Sequence, residues 1–317
     1  MHQNNIKIYQ APLQGFTDFD FRRVMNEVFG GVDKFFVPYL SYGKGREIKR
    51  SLFREILPEN NLGMATVPQV LFSDFQELSE LVEIEVQHGY SEINLNLGCP
   101  YPMATNKGRG SALLQSPELL DEMLEKLYSK FSGIRFSAKM RAGMSDDHDF
   151  IAVVAILNKY PLEELIFHPR TANQMYEGKA NAELFVKALS LSKHRLVYNG
   201  DILLPSDFDE LKNKFPEQEY WMIGRGLLAN PALAAQIKGE VFVEGELRKK
   251  LRSFHDQLFD AYSSRLDGAG HILMKMNQFW LYFSESFENP HKAMKLVKKS
   301  NNLAKYNSAV SVIFSEY

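Results

Sequence analysis

"EINLNLGCPYP", residues 92–102, has the pattern of a buried strand that ends in a Gly-Cys-Pro turn. The stretches on either side of it, "DFQELSELVEIEVQHG" (74–89) and "SPELLDEMLEKLYSKF" (116–131), instead space apolar residues at i, i+3, i+4 and i+7, as an amphipathic helix does. The second stretch begins with Ser-Pro, a helix start signal. Helix, strand and helix in succession indicate parallel strands joined by crossover helices.

The same alternation recurs along most of the chain. Eight β-rich runs lie between helix-like segments: "IKIYQAP" (6–12), "DKFFVPYL" (33–40), "TVPQVLF" (66–72), "EINLNLG" (92–98), "RFSAKMRAG" (135–143), "EELIFHPR" (163–170), "RLVYNGDI" (195–202) and "YWMIGRG" (220–226). Eight such units predict an α/β fold, the (β/α)8 TIM barrel, which typically takes about 250 residues. A doubly wound open sheet is the alternative, but no Gly-x-Gly-x-x-Gly follows the first run.

Beyond residue 237 the strand pattern stops and helix patterns follow. They are "ELRKKLRSFHDQLFDAYSSRL" (246–266), "GHILMKMNQFWLYFSESF" (270–287), "NPHKAMKLVKKSNN" (289–302) and "YNSAVSVIFSEY" (306–317). We therefore predict a catalytic barrel over residues 1–237 and a small helical bundle over residues 238–317. The aromatic residues of the second helix, Phe279, Trp280, Tyr282 and Phe283, are expected in the core of that bundle.

Composition limits the chemistry that is open to this chain. Its 317 residues include one cysteine, Cys99, which excludes an internal disulfide framework and a cysteine-rich zinc site, and no metal is expected. The first ten residues lack a signal-peptide pattern, and no stretch approaches the ~20 apolar residues of a membrane helix, so we expect a cytoplasmic protein without membrane association. A net charge of −2 argues against binding nucleic acid through overall charge, but a local basic face stays possible.

Polar side chains follow the strand-like runs at the end where a TIM barrel carries its active site. In chain order they are Gln14, Gln69, Asn96 with Cys99, Lys139 with Arg141, His168 with Arg170, Asn199 with Asp201, and Arg225. In the last two loops, Gly200, Gly224 and Gly226 would let backbone N–H groups approach an anion beside Arg225. That is the usual position of a barrel phosphate site, so the pattern favours a phosphorylated ligand over simple tight turns.

Seven motifs in order carry a family resemblance. They are "APLQGFTD", "VPQVLFSD", "NLNLGCP" followed by "GRGSALL", "AKMRAG", "FHPRTANQMYEG", "YNGDI" and "MIGRG". The sequence resembles the tRNA-dihydrouridine synthase family, and its helical tail resembles most closely the bacterial C-type members, which act on the tRNA D-loop. The resemblance implies a monomer with bound FMN that reduces uridines in tRNA to 5,6-dihydrouridine, with NADPH as reductant.

Matching the motifs residue by residue implies the roles of individual side chains. FMN would contact Pro12, Leu13, Gln14, Gln69, Lys139, His168, Asn199, Gly200, Asp201, Gly224 and Arg225. The uridine or its RNA would contact Asn96, Arg141 and Arg170, together with Lys107 and Arg109 of the loop after Cys99. Lys107 and Arg109 can equally be solvated charges, and Arg141 can equally be an ion-pair partner at the edge of the core.

Reduction of the C5–C6 double bond of uracil needs a hydride at C6 and a proton at C5. A general acid must face the flavin across the base, and Cys99 matches that acid. Asn96 offers a donor and an acceptor on one amide, which suits the imide edge of uracil. The alternative for Cys99 is a small buried hydrophobe.

The third helix of the tail carries Lys292, Lys295, Lys298 and Lys299 without an acidic residue, which predicts contacts to the RNA backbone. Arg252, Lys275 and His271 would extend this basic surface. Two other functions stay open: an FMN barrel oxidoreductase for a small molecule, and a non-catalytic RNA-binding factor. A cysteine hydrolase is disfavoured because no base accompanies Cys99. The sequence does not indicate which uridine is reduced, whether tRNA or ribosomal RNA is the substrate, or whether NADPH is preferred to NADH.

Overall fold

The computed structural model describes residues 5–316, which form a closed parallel barrel followed by helices. The strands are β1 (Lys7–Gln10), β2 (Lys34–Phe36), β3 (Thr66–Val67), β4 (Gln69–Val70), β5 (Glu92–Leu97), β6 (Arg135–Gly143), β7 (Leu165–Thr171), β8 (Leu196–Tyr198) and β9 (Tyr220–Ile223). Their order in the sheet is β3-β2-β1-β9-β8-β7-β6-β5-β4. The two edge strands are thus consecutive in the chain, separated by Pro68 alone.

Pro68 explains why one predicted strand becomes two. A proline has no N–H to donate, so the ladder is interrupted at this position, although the Pro68 carbonyl still accepts from Asn94 N at 2.8 Å. β3 pairs with β2, and β4 pairs with β5, so β3 and β4 together act as the third strand of an eight-stranded ring. The predicted TIM barrel is confirmed, and the open sheet is excluded.

The described residues contain fourteen α-helices, which pack around the barrel or follow it in the chain. They are α1 (Phe19–Val28), α2 (Arg50–Phe53), α3 (Phe75–Gln87), α4 (Pro102–Thr105), α5 (Pro117–Lys130), α6 (Phe150–Leu157), α7 (Ala182–Leu191), α8 (Pro205–Lys214), α9 (Arg225–Ala229), α10 (Leu233–Ile237), α11 (Glu244–Arg265), α12 (Ala269–Phe283), α13 (Pro290–Lys298) and α14 (Leu303–Glu316). Asp74 caps α3 by accepting from Glu77 N at 2.8 Å, and Pro117 opens α5, as the sequence indicates. In the described part of the chain, no helix combines the length and the apolar character needed to cross a membrane.

The last four helices, α11 to α14, form the predicted bundle, and α11 packs against α1. Phe254 of α11 makes edge contacts with Phe21 and Phe29 at ring distances of 5.6 and 5.7 Å. Inside the bundle the hydroxyl of Tyr306 accepts from the indole N–H of Trp280 at 2.8 Å. The segment 238–243 joins α10 to α11, so the predicted domain boundary falls between two helices. The division into two domains itself stays a prediction.

A buried charge cluster fixes the bundle to the barrel. Asp18, the cap of α1, binds Arg265 at 3.2 Å, Lys275 at 2.9 Å and the Tyr262 hydroxyl at 3.0 Å. Arg265 also binds Asp20 at 2.6 Å. Lys275 therefore belongs to this interface, and the expectation that it extends an exposed basic surface is wrong.

Glu85 on α3 is an isolated buried carboxyl group. It has no solvent exposure, and neither of its side-chain oxygens has a hydrogen-bond partner among the described residues. Burial raises its pKa well above the ordinary value, so the folded protein holds Glu85 protonated. The unfolded chain loses that proton above about pH 4.3. The free energy of unfolding therefore falls as pH rises from that value toward the folded-state pKa.

We expect Glu85→Leu to raise the free energy of unfolding by about 1–3 kcal/mol at neutral pH, since it removes an unpaired buried polar group. The gain should be larger at pH 8 than at pH 5, and urea unfolding at both values measures it. Glu122→Gln on α5, an exposed carboxylate, is the control. A gain independent of pH would contradict the buried, protonated state of Glu85.

Candidate active site

One cavity of about 320 Å³ lies at the carboxyl ends of the strands. That size falls within the range of small-molecule sites. Thirteen of the residues predicted for the site line it: Pro12, Leu13, Gln14, Gln69, Asn96, Cys99, Lys139, Arg141, His168, Asn199, Gly200, Gly224 and Arg225. Four predicted residues do not line it, namely Lys107, Arg109, Arg170 and Asp201. The barrel therefore brings together side chains from loops that are far apart in sequence.

Cys99 lies in the turn after β5 and is 7% exposed. The side-chain oxygen of Asn96 accepts from the backbone N–H groups of Gly98, at 3.0 Å, and Cys99, at 2.8 Å, which fixes this turn. Burial raises the pKa of the Cys99 thiol above its ordinary value. The group is therefore a protonated thiol at neutral pH, suited to give a proton rather than to attack as a thiolate.

Tyr39, in the loop after β2, is a site residue that sequence reasoning missed. Its ring packs beside Cys99 and Leu71, and burial together with the neighbouring Cys99 side chain raises the pKa of its hydroxyl. The only signal in the sequence is its position at the end of the "FFVPYL" strand, the same end that carries the other site residues. A tyrosine there has the pattern of an ordinary core aromatic, so the sequence did not single it out.

Asn96 belongs to a chain of side-chain amides that runs into the barrel. Its Nδ2 donates to Gln69 at 2.7 Å, Gln69 donates to Asn94 at 2.7 Å, and Asn94 donates to Ser137 at 2.8 Å. Both lone pairs of the Asn96 oxygen are used by the turn of Cys99, so one N–H is left for a ligand. In this structure the Asn96 oxygen holds the Cys99 turn, and the contact of Asn96 with uracil stays a prediction.

Three cationic or basic side chains form one wall of the cavity. Burial, and then the nearby charge of Arg141, lower the pKa of Lys139 to about 7. No residue of the range 5–316 hydrogen-bonds to Lys139 Nζ, so this ammonium is available to a ligand. Burial, and then the charges of Arg141 and Lys139, hold the pKa of His168 well below its usual value, which keeps that ring neutral.

Arg141 has a mixed role. It lines the cavity, yet it donates to the carbonyls of Gly98 at 3.2 Å, Thr171 at 2.9 Å and Met175 at 2.8 Å. Its guanidinium also lies 5.4 Å from the ring centre of Tyr176. Arg141 therefore ties the loops after β5 and β7 together and presents its charge to the cavity at the same time.

The loops after β8 and β9 form the predicted phosphate end. Arg225 lines the cavity, lies 4.4 Å from the ring centre of Tyr176 and pairs with Asp201 at 3.1 Å. Arg170 is 1% exposed and binds Asp201 through two hydrogen bonds, at 2.9 and 2.6 Å. Asp201 and Arg170 do not line the cavity, and Asp201 joins Arg170 to Arg225; their contact with a ligand stays a prediction.

Two glycines of these loops are explained by packing within the protein. A Cβ at Gly226 would collide with the Ile202 carbonyl, and a Cβ at Gly200 would collide with the Tyr198 hydroxyl. A Cβ at Gly224 would meet only ordinary contacts with Ala11 and Leu13. Close approach of an anion is thus not needed to explain Gly200 and Gly226.

Tyr282 of α12 reaches the cavity from the bundle. Phe279, Trp280 and Phe283 of the same helix are buried in the bundle as predicted, but Tyr282 is half-buried and lines the cavity. It contacts Phe16 of the barrel edge to face at a ring distance of 5.2 Å. The core assignment of Tyr282 is therefore wrong, because the helix turns this one aromatic toward the barrel.

The remaining predicted RNA contacts lie on the surface. Lys292, Lys295, Lys298 and Lys299 are exposed on and just after α13, and Lys107 is exposed in the loop after Cys99. Arg109, by contrast, is mostly buried and paired with Glu77 of α3. The basic surface of α13 is thus present as predicted, while its contact with RNA stays a prediction.

The chain is similar to known proteins along most of its length. It is 29% identical over 237 residues to the tRNA-dihydrouridine synthase B of Pasteurella multocida, covering 73% of this chain and 69% of the relative. It is 30% identical over 240 residues to the tRNA-dihydrouridine(16) synthase of Pseudomonas putida, covering 73% of each. Among solved structures, the old yellow enzyme homologue of Zymomonas mobilis has a similar fold, with a TM-score of 0.51 at 12% identity, covering 76% of this chain and 92% of that one.

A family model described as dihydrouridine synthase (Dus) matches residues 9–311. The match begins within β1 and ends within α14, so it spans both the barrel and the bundle. The chain belongs to the dihydrouridine synthase family.

Proposed function

We propose that this protein reduces selected uridines in the D-loop of tRNA to 5,6-dihydrouridine, with FMN as cofactor and NADPH as reductant. The observation that carries the proposal is that one cavity holds two groups. They are the protonated thiol of Cys99 and the amino group of Lys139, which has no hydrogen-bond partner among the described residues. Reduction of a uracil double bond needs a proton on one face of the base and a reduced cofactor on the other. Cys99 can give the proton, and Lys139 can bind the charged edge of the cofactor. The names of the relatives support tRNA as the substrate.

The residues present fit FMN. Ala11, Pro12 and Leu13 give the cavity an apolar wall for a flat ring, and Lys139 is free to meet the polar edge of that ring. Arg225, held by Asp201, supplies a fixed cation for the phosphate. When reduced, FMN supplies the hydride that adds to C6 of the uracil.

Cys99 supplies the other half of the addition. Its S–H gives a proton to C5 of the uracil, and the resulting thiolate then takes a proton back from water. The turn held by Asn96 and the packing of Tyr39 against Cys99 keep the sulfur in place. Because the pKa of Cys99 is raised, the thiol keeps its proton until the base is bound.

The exposed lysines of α13 are proposed to bind phosphates of the RNA. A flipped uridine would then enter the cavity past Tyr282, the one residue of the bundle that lines it among those the structure describes. We propose that the protein works as a cytoplasmic monomer on tRNA, and that residues of one chain line the cavity.

Position-resolved mapping of dihydrouridine in RNA from cells with and without this protein tests the proposal. We expect dihydrouridine to disappear from one or more D-loop positions and to return when the gene is restored. The purified protein should also show the absorption spectrum of bound flavin. Unchanged tRNA in a cell without a second family member, or a protein that binds no flavin, would refute the proposal.

Tyr282 provides a test of the route into the site. We expect Tyr282→Ala to weaken uridine reduction by about 5- to 150-fold, since stacking of a base on an aromatic ring contributes about 1–3 kcal/mol. Flavin reduction by NADPH should be unchanged. Leu281→Ala is the matched control, because Leu281 is the neighbouring exposed residue of the same helix and does not line the cavity. Equal effects of the two substitutions would contradict a role for Tyr282 at the entrance.

A further inference from the structure

The segment that follows Cys99 is tied down by a buried ion pair. Arg109 Nε donates to Glu77 Oε2 at 3.2 Å, Nη2 binds the other oxygen of Glu77, and Nη1 donates to the Tyr42 carbonyl at 2.9 Å. Glu77, in the first turn of α3, is 3% exposed. Each of the three nitrogens of the Arg109 guanidinium group therefore makes a hydrogen bond within the protein, which uses three of its five N–H groups and fixes the direction of the side chain.

The next residue presses directly on Cys99. Gly110 has a positive φ of 61°, and a Cβ built there would lie 2.7 Å from the Cys99 carbonyl oxygen and 2.8 Å from the Cys99 Cβ. Ser111 N donates to the same Cys99 carbonyl at 3.1 Å. The backbone immediately after Arg109 is thus packed on the backbone of Cys99, the proposed acid.

Glu77 is itself held in place from its own side. It accepts from the backbone N–H and the hydroxyl of Ser73, each at 2.9 Å. The carboxylate is therefore a fixed point on a helix of the barrel, and the Arg109 fork transmits that position to the loop. Loss of the Arg109 hydrogen bonds would leave the loop held by its backbone hydrogen bonds and by the buried side chains of Ala104, Leu113 and Leu114.

We propose that the Arg109–Glu77 pair is a clamp that positions Cys99 by holding Gly110 and Ser111 against it. Arg109 is then a positioning residue of the general acid and not an RNA contact. The inference deepens the proposed function, since it rests on Cys99 as the proton donor. A misplacement of about 1 Å at a reacting group can cost about 10²-fold in rate, so a clamp of this kind is measurable.

The kinetic test uses Arg109→Met with Arg109→Lys as the conservative variant. We expect Arg109→Met to lower kcat for uridine reduction by about 10- to 100-fold, with KM for tRNA and the rate of flavin reduction unchanged. Arg109→Lys should recover part of the loss. Arg46→Met is the control, because Arg46 forms an exposed ion pair at 2.6 Å with Glu80, which lies on α3 as Glu77 does. An increase in KM with kcat unchanged would overturn the clamp in favour of direct RNA contact.

A second test needs neither RNA nor flavin turnover. Cys99 is the sole cysteine of the sequence, so the rate of alkylation by iodoacetamide reports on this residue alone. We expect alkylation to change in Arg109→Met and in Gly110→Ala, but not in Arg46→Met or Gly108→Ala. Gly108 is the matched control because it also has a positive φ, 70°, yet a Cβ there would meet no atom within 4 Å.

The outcomes separate the two claims. Alkylation that follows this pattern in a protein that does not reduce uridine would support the clamp and refute the proposed function. A second outcome would refute the clamp and leave the proposed function standing. In that outcome the parent protein reduces uridine, while Arg109→Met has the same alkylation rate and the same kcat as Arg46→Met. Retained flavin binding by each variant shows that it has folded.

Discussion

Cys99→Ala is expected to lower the rate of uridine reduction by about 10²- to 10⁴-fold, the contribution typical of a positioned general acid. The substitution removes the proton donor that the Asn96 turn holds beside Tyr39 in the cavity. Alanine is small and apolar, so the buried site should accept it without a change in fold. Binding of FMN and of tRNA should therefore be retained.

Rapid mixing separates the two halves of the reaction. Reduction of bound flavin by NADPH should be unchanged in Cys99→Ala, while reoxidation of the reduced protein by tRNA should be slowed. Burial raises the pKa of Cys99, so the rate of reoxidation in the parent protein should be constant from about pH 6 to 8 and fall at higher pH as the thiol ionises. Normal reoxidation in the variant would remove Cys99 from the acid role.

Lys139→Met is expected to impair the flavin half of the cycle by about 10²-fold, as removal of one preorganised cationic donor does at other sites. Lys139 lines the cavity without a hydrogen-bond partner among residues 5–316, and burial with Arg141 nearby lowers its pKa to about 7. In the flavin-free protein its ammonium fraction therefore falls as pH rises through 7. An anionic ligand group beside it would raise that pKa again and favour the charged form.

Flavin content and the rate of flavin reduction measure this effect. Methionine keeps the length of the side chain, so lost charge rather than lost volume is tested. Lys107→Met is the control, since Lys107 is an exposed lysine of the same end of the barrel and does not line the cavity. Flavin affinity in the parent should also weaken above pH 7 more than in Lys139→Met. Normal flavin chemistry in Lys139→Met would remove this residue from the cofactor site.

The strand pattern was sufficient to predict the barrel because each buried parallel strand is a short apolar run bounded by turn residues. The site followed from one rule, that the carboxyl ends of the strands meet at one face. That rule placed Gln69, Cys99, Lys139 and Arg225 in one cavity although they are far apart in the chain. Period and position along a strand are local properties, so one sequence is enough to read them.

The partners of charged residues were not predictable in the same way. Arg109 pairs with Glu77, which lies 32 positions earlier, and Arg170 pairs with Asp201, which lies 31 positions later. Such pairs depend on how helices and loops pack, and the sequence shows only that a charge is present. An arginine in a loop near an active site therefore has the same pattern whether it binds a phosphate or a carboxylate of its own protein.

Two aromatic residues of the cavity were not predicted as site residues for a related reason. Tyr39 and Tyr282 lie among apolar neighbours at spacings typical of a core, and only their tertiary position brings them to the cavity. The amide of Asn96 shows the same limit, because its two hydrogen bonds to the Cys99 turn depend on the turn conformation. The sequence indicates which groups are available, and the packing decides which of them are already bound.

The most direct measurement is position-resolved mapping of dihydrouridine in an unmodified tRNA transcript incubated with the purified protein, FMN and NADPH. We predict new dihydrouridine at defined D-loop positions with the parent protein and almost none with Cys99→Ala. A transcript left unmodified by flavin-loaded parent protein that oxidises NADPH would contradict the account, and would indicate that the cavity reduces something other than tRNA.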